Sequence, residues 1–179
     1  MRVIVLGVFL YAFSLPVAAD QNRDYSGGYI GVGGLLWSYV DETVRGSAEG
    51  FGGQLRGGYR FNDFVGFEGR FSSGGSGTLG GVEVQLNSAA QFLATFSVPV
   101  TQKFRLGAYA GFSMGEIEFS AFGSTRTESD TGVSFGSFLE LGDPDGWAFY
   151  GDLGILQWGS VQGNTYMSAG LSAGALYRF

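Results

Sequence analysis

From residue 28 onward, apolar and polar positions alternate with a period of two, the mark of strands that bury one face. Eight stretches carry the pattern. In the first, 28–39, Ile30, Val32 and Leu36 share a face opposite Tyr29, Gly31 and Gly33. Trp37 falls out of phase with Leu36, which predicts a bulge or a strand end there. The second, 51–61, sets Phe51, Leu55, Tyr59 and Phe61 against Gln54, Arg56 and Arg60, and the third, 64–71, sets Val65, Phe67 and Phe71 against Glu68 and Arg70. The fourth, 88–98, aligns Ala90, Phe92, Ala94, Phe96 and Val98. The fifth starts at Phe104 and aligns Leu106, Ala108, Ala110, Phe112 and Met114 against Arg105 and Tyr109, continuing toward Phe119 with a change of register expected at Glu116. The sixth, 132–141, opposes Val133, Phe135, Leu139 and Leu141 to Ser134, Phe138 and Glu140. The seventh, 147–158, opposes Trp147, Phe149, Leu153 and Ile155 to Tyr150, Asp152 and Leu156. The eighth closes the chain, with Leu171, Ala173, Ala175, Tyr177 and Phe179 on one face and Ser172, Gly174, Leu176 and Arg178 on the other. Sustained helical periodicity is missing after the first twenty residues. Scattered glycines, each costing a helix ~1 kcal/mol relative to alanine, argue against helix there.

The connectors alternate. Asn62-Asp63, 99–103 and 142–146 are tight turns. The stretches 41–50, 72–81 (extending through Asn87), 123–131 and 159–164 are expected to be longer polar loops. Short and long connectors in alternation suit a membrane-spanning barrel, and an even strand count puts both ends of the barrel chain on the short-turn side. The predicted fold is all-β: an eight-stranded antiparallel up-and-down transmembrane β-barrel.

Composition decides which face meets what. Charged residues are 15% of the chain and there is one lysine, Lys103, against roughly 25% charged in an ordinary soluble domain. A soluble barrel of lipocalin type, or a sandwich, would turn a Lys- and Glu-rich face to water. Here the polar face is mostly Gly, Ser and Gln with isolated charges, which suits the crowded interior of a narrow barrel. Phe61, Phe64, Phe104, Trp147, Tyr177 and Phe179 gather beside the short turns, as an interfacial aromatic belt would. At the N-terminus, Arg2, an apolar run over 3–15 and Pro16-Val17-Ala18-Ala19 have the layout of a cleaved leader. The run is shorter than the ~20 residues of a spanning helix. Residues 1–19 are therefore expected to be a signal peptide and 20–179 the barrel domain. Loss of Arg2 takes the net charge from −6 to −7, which argues against a nucleic-acid partner.

Two segments carry a family resemblance. The terminal strand Leu171, Ala173, Ala175, Tyr177, Phe179 resembles the C-terminal signal strand of bacterial outer-membrane barrels, in which a final Phe and an aromatic two residues earlier are read by the assembly machinery. The segment Tyr59-Arg60-Phe61-Asn62-Asp63-Phe64-Val65-Gly66-Phe67-Glu68-Gly69 resembles the first hairpin turn of small barrels of this kind. The chain thus resembles the OmpA-like/OmpX-like outer membrane protein β-barrel family, the porin-family or surface-antigen type of barrel, over essentially the whole of 20–179. The resemblance implies a Gram-negative outer-membrane location, contact with outer-membrane lipid and lipopolysaccharide, insertion by the barrel assembly machinery, and surface or host ligands met through loops. The chain departs from full-length OmpA in stopping at Phe179, so no C-terminal peptidoglycan-binding domain is expected.

The candidate chemistry lies on the presumed lumen face: Arg56, Arg60, Glu68, Arg70, Arg105, Glu140, Asp152 and Arg178. They are read as an ionic cluster that plugs the lumen and fixes strand register, because eight strands leave room mainly for side chains and buried charges need partners. An ionic gate or polar ligand site is the functional alternative. Catalysis lacks an imidazole base, since the chain has no His. Glu116 and Glu118 are the carboxylate pair to weigh as acid and base, but they share a strand face near a loop. No cofactor is expected. No metal site is expected either, since Asp41, Glu42, Glu49, Glu128 and Asp130 lack a calcium-loop spacing. The predicted role is structural or surface-interacting and non-catalytic. The alternatives are a conduit or binder for small apolar ligands, a lipid-modifying enzyme, and a soluble secreted barrel.

Overall fold

The computed structural model describes residues 26–41, 46–121, 123–161 and 164–179. The expected leader, 1–19, lies outside them. Nine strands follow in order: β1 (Gly27–Asp41), β2 (Ala48–Arg60), β3 (Val65–Gly74), β4 (Ser76–Leu79), β5 (Val82–Pro99), β6 (Phe104–Ala121), β7 (Ser124–Gly142), β8 (Gly146–Val161) and β9 (Asn164–Arg178). Every pairing is antiparallel, β9 joins β1, and β3 joins β5 to close the ring. β3 and β4 are one wall strand interrupted at Gly75, whose N–H donates to the Phe51 carbonyl. The wall is a closed eight-stranded antiparallel up-and-down barrel.

Three turns, 61–64, 100–103 and 143–145, gather at one end, the turn end. Asn62 Oδ1 accepts from the Phe64 and Val65 N–H groups at 2.8 and 2.9 Å. Thr101 Oγ1 accepts from Phe104 N–H at 3.0 Å. Both side chains stand in for backbone partners in tight turns. β9 finishes at this end too, where Phe179 exchanges two backbone hydrogen bonds with Gly28.

The outer wall carries a continuous exposed apolar band. Ile30, Val32, Leu36, Leu55, Phe67, Phe92, Phe96, Phe112, Met114, Phe149, Leu153 and Leu171 all point outward. On β6 the band runs over 104–114, matching the ~9–11 residues that a tilted strand needs to cross a bilayer. Beyond it, toward the opposite end of the barrel (the mouth), outward positions turn polar: Ser38, Glu49, Glu116, Glu118, Thr127 and Ser129.

The mouth corrects several expectations. The stretches 72–87 and 123–131 are not loops. β3, β4 and β5 continue through the first, joined by a two-residue turn at Gly80 (φ 59°) and Gly81 (φ 87°). Positive φ at both central residues is the geometry of a tight hairpin whose twist matches the strands. β7 runs through the second stretch, paired with β6 to its end. Trp37 starts neither a bulge nor a strand end: β1 keeps its register, and Leu35, Trp37 and Tyr39 point inward. β6 keeps its register at Glu116 as well. The extra residue sits opposite, at Asn87 of β5, so Ile117 and Phe119 continue inward. A second bulge at Leu156 lets both Leu156 and Gln157 face the interior. The inward turn of Trp37, Ile117 and Phe119 has one cause. Above the lipid band the wall stands in water, so the pattern inverts, with apolar residues turning inside and polar ones outside.

Candidate functional site in the barrel lumen

Strand parity alone places the lumen side chains. Arg56 and Arg60 alternate with outward Leu55 and Tyr59 on β2, Glu68 and Arg70 with Phe67 and Phe71 on β3. All eight charged candidates are buried, and they form two groups.

The inner group joins Arg56, Glu68, Arg70 and Asp152. Arg56 Nη2 lies 2.6 Å from Asp152 Oδ2 and 3.5 Å from Glu68 Oε1. Arg70 bonds Glu68 through Nε and reaches Asp152 Oδ1 at 3.2 Å. Two positive and two negative groups balance. The Tyr29 hydroxyl donates to Glu68 at 2.7 Å and the Ser172 hydroxyl to Asp152 at 2.7 Å. These bonds occupy carboxylate lone pairs that burial would otherwise leave costly.

The turn-end group centres on Glu140. Arg60 contacts it at 2.5 Å and Arg178 at 2.7 Å. Arg105 lies alongside, donating to Ser97 Oγ at 2.7 Å and to the Asp63 carbonyl at 2.6 Å, while Arg178 also donates to the Asp143 carbonyl. Two guanidinium groups thus share one carboxylate, with a third beside them. Carbonyl dipoles from two turns receive the positive surplus. Glu140 and Asp152, near in sequence across the third turn, belong to different groups.

Sequence parity had a further signal, the inward tyrosines, which complete the inner group. The Arg56 guanidinium lies 3.8 Å from the Tyr150 ring centroid, Arg70 4.1 Å from Tyr109, and Arg60 5.0 Å from Tyr29. Such contacts add cation–π attraction to the ion pairs. The hydroxyl end of each ring packs against glycine on the wall: Tyr150 against Gly33 and Gly174, Tyr109 against Gly136 and Gly154, Tyr29 against Gly58. A side chain at those positions would occupy the space of the ring.

Toward the mouth the filling becomes neutral and then apolar. Gln54 donates to Ser72 at 3.2 Å, with its carbonyl oxygen 3.2 Å from the Ser172 oxygen, and Gln91 donates to Ser134. Next comes a cluster of Leu35, Trp37, Leu86, Ala89 and Leu156, then Tyr39, Val84, Ile117 and Tyr166. Tyr39 stacks on Tyr166 at 5.9 Å and meets Phe119 edge-on at 5.8 Å. This apolar cap is absent from the sequence-based site. A shallow depression above it is lined by Tyr39, Phe119, Glu128, Asp130, Gln157 and Tyr166.

The remaining candidates sit outside the lumen. Glu116 and Glu118 are on the outer face, both approached by Asn87 Nδ2, at 3.1 and 3.4 Å. In the terminal strand Leu171, Ala173, Ala175, Tyr177 and Phe179 face the lipid side, and Leu176 packs inward with Tyr29, Ala148 and Tyr150.

The family model of the outer membrane protein beta-barrel domain matches residues 6–179. The chain belongs to that family. Its members are barrels of the Gram-negative outer membrane, and that is the location of this one. Solved structures agree on the fold. Neisserial surface protein A is 17% identical, with 86% of this chain and 98% of that one covered and a TM-score of 0.69. Ail, the attachment invasion locus protein of Yersinia pestis, is 19% identical, with 84% and 99% covered and a TM-score of 0.57. The N-terminal β-barrel domain of Pseudomonas aeruginosa OprF is 16% identical, with 85% and 99% covered and a TM-score of 0.53. No curated protein sequence matches the chain. In this outer membrane barrel the apolar band is the lipid-facing surface and the polar mouth stands clear of it.

Proposed function

We propose that this barrel is a non-catalytic surface protein. Its lumen is closed by its own side chains, and its mouth is presented outside the cell for interaction. The observation that carries the reading is the filling of the lumen. Two ionic groups, a glutamine–serine layer and an apolar cap follow one another along the axis. Each buried carboxylate, Glu68, Glu140 and Asp152, is engaged by arginines, which argues against a poised acid or base among them.

Orientation follows from the strand extensions. At the mouth the strands run on past the apolar band as polar hairpins, whereas at the turn end they turn back near the rim of the band. The longer excursions are extracellular in such barrels, so the mouth faces outward, amid lipopolysaccharide headgroups. The terminal strand, with Tyr177 and Phe179 on the lipid side, is the segment that the assembly machinery would read. The neighbour Ail was solved with a heparin analogue, sucrose octasulfate. A polyanion does not suit the present mouth, where Glu49, Glu83, Glu116, Glu118, Glu128 and Asp130 stand against Arg126 among the described residues. The same charge disfavours nucleic acid.

Planar-bilayer recording with purified, refolded protein tests the closed lumen. The expected result is a baseline without unit conductance. Steady channel steps that scale with protein added would overturn it. Lipid A from overexpressing cells, weighed by mass spectrometry, should be unchanged.

A further inference from the structure

β7 is two strands in one. Over 133–142 it pairs with β6 on one side and β8 on the other, but over 124–131 it pairs with β6 alone. No described strand lies along its other side. Gly142 N–H donates to the Lys103 carbonyl, which fixes the parity of the β6–β7 ladder. Counting in twos from that pair, Ser124, Arg126, Glu128 and Asp130 direct their backbone groups at β6. Thr125, Thr127, Ser129 and Thr131 therefore aim N–H and C=O away from β6, along an open edge. All four side chains are exposed and small.

An open row of alternating donors and acceptors is matched by one kind of ligand, an extended polypeptide that adds as a further strand. The surroundings set its charge. On the outer face Glu118 stands beside Thr127 and Glu116 beside Ser129, one strand further in. Threonine and serine are short enough for a Lys or Arg on an added strand to reach across them to those carboxylates. On the mouth face the same edge carries Arg126, paired with Glu128 at 2.6 Å, and Asp130, which accepts from the Tyr166 hydroxyl, so the carboxylates of the outer face are the ones that set the charge of the partner. Nothing apolar lies along it, so backbone pairing and charge are the whole of the recognition.

We propose that the 124–131 edge of β7 captures an extended cationic segment of another polypeptide by β-strand addition, with Lys or Arg at alternate positions facing Glu116 and Glu118. This rests on the surface-interaction reading above and names the partner class.

The probe is a fluorescent peptide of alternating Thr and Lys, about eight residues long to match the edge, titrated against purified protein in lipid nanodiscs. Saturable binding is expected that weakens with salt. T127P removes an edge-facing N–H without touching the β6 ladder and should weaken binding roughly tenfold. E116Q/E118Q should weaken binding and flatten its salt dependence. A peptide N-methylated on one edge should bind through its other edge only, and one methylated on both should not bind. Retained heat-modifiable gel mobility certifies that each variant is folded. Equal binding by the fully methylated peptide, or by T127P, would overturn the proposal. So would a dimer that T127P converts to monomer without peptide uptake, which would assign the edge to a second copy. Binding to nanodisc protein together with none to intact cells would leave the edge assignment standing and overturn the outward orientation instead.

Discussion

Phe179 and Gly28 form a complete backbone pair: Phe179 N–H donates to the Gly28 carbonyl at 2.9 Å, and Gly28 N–H returns a bond to the Phe179 carbonyl at 3.0 Å. The Phe179 ring also lies over Gly28, in space that a β-carbon there would fill. The last residue of the sequence therefore seals the β1–β9 seam at the turn end, where lipid tolerates no unpaired backbone.

Deleting Phe179 removes both bonds and the ring together. The deletion should lower the amount of folded barrel recovered from outer membranes, measured as heat-shifted protein on a gel. F179A keeps the backbone pair and should retain more. Equal recovery of the deletion and the wild type would show that the seam does not depend on this residue.

The inner ionic group makes a second prediction. Asp152 takes Arg56 and Arg70 at 2.6 and 3.2 Å. Its replacement in D152A leaves two buried guanidinium groups with Glu68 alone. The expected cost is about 3–5 kcal/mol, that of breaking a buried pair by removing one partner. Replacing Glu68 with Ala, which removes the carboxylate shared by Arg56, Arg70 and Tyr29, should destabilise in the same way. Urea titration of refolded protein, followed by Trp fluorescence, measures both. Unchanged midpoints would mean that water or counter-ions serve these charges.

A third prediction concerns the cap. A β-carbon on Gly50 would meet the Trp37 indole first, at three ring atoms 2.6–2.8 Å away. Overpacking typically costs about 1–3 kcal/mol, so G50A should destabilise the barrel by that order. In a W37L background the same change should cost little, because the obstructing ring is gone. The double-mutant cycle reads the coupling directly, and additive effects would refute the contact.

What could be foreseen divides at the edge of the lipid band. Within it, period-two alternation has one sense on every strand, so the inward set from Arg56 to Arg178 and the tight turn at Asn62-Asp63 were legible. Beyond it the sense inverts, and Trp37, Ile117 and Phe119 look out of phase although their strands never change register. Alternation cannot tell a bulge from a change of solvent. Gly80-Gly81 was a hairpin signal hidden inside a Gly/Ser-rich stretch that composition marks as loop. The partition of the charges into two groups was not legible, because it depends on strand tilt and on which side chains reach across the barrel. Glu140 and Asp152 flank one turn, yet they point into different layers.

The position of that band makes the last prediction. Phe112 is 71% exposed near the middle of the apolar stretch of β6, while Glu118, on the same face of the same strand, lies past Met114 where outward residues have become polar. A charge placed in hydrocarbon should cost far more than one placed in the headgroup region. F112R should therefore destabilise the barrel by about 2–4 kcal/mol, and E118R by about 0–1. Reversible unfolding in lipid vesicles measures both on one scale. The contrast must come from lipid, because neither side chain enters the lumen: in detergents of short chain the gap should narrow, and in thicker bilayers E118R should begin to cost as well. Equal costs for the two variants would place the band elsewhere on the wall. They would also bring Glu116 and Glu118 down into the membrane, out of reach of any partner at the mouth.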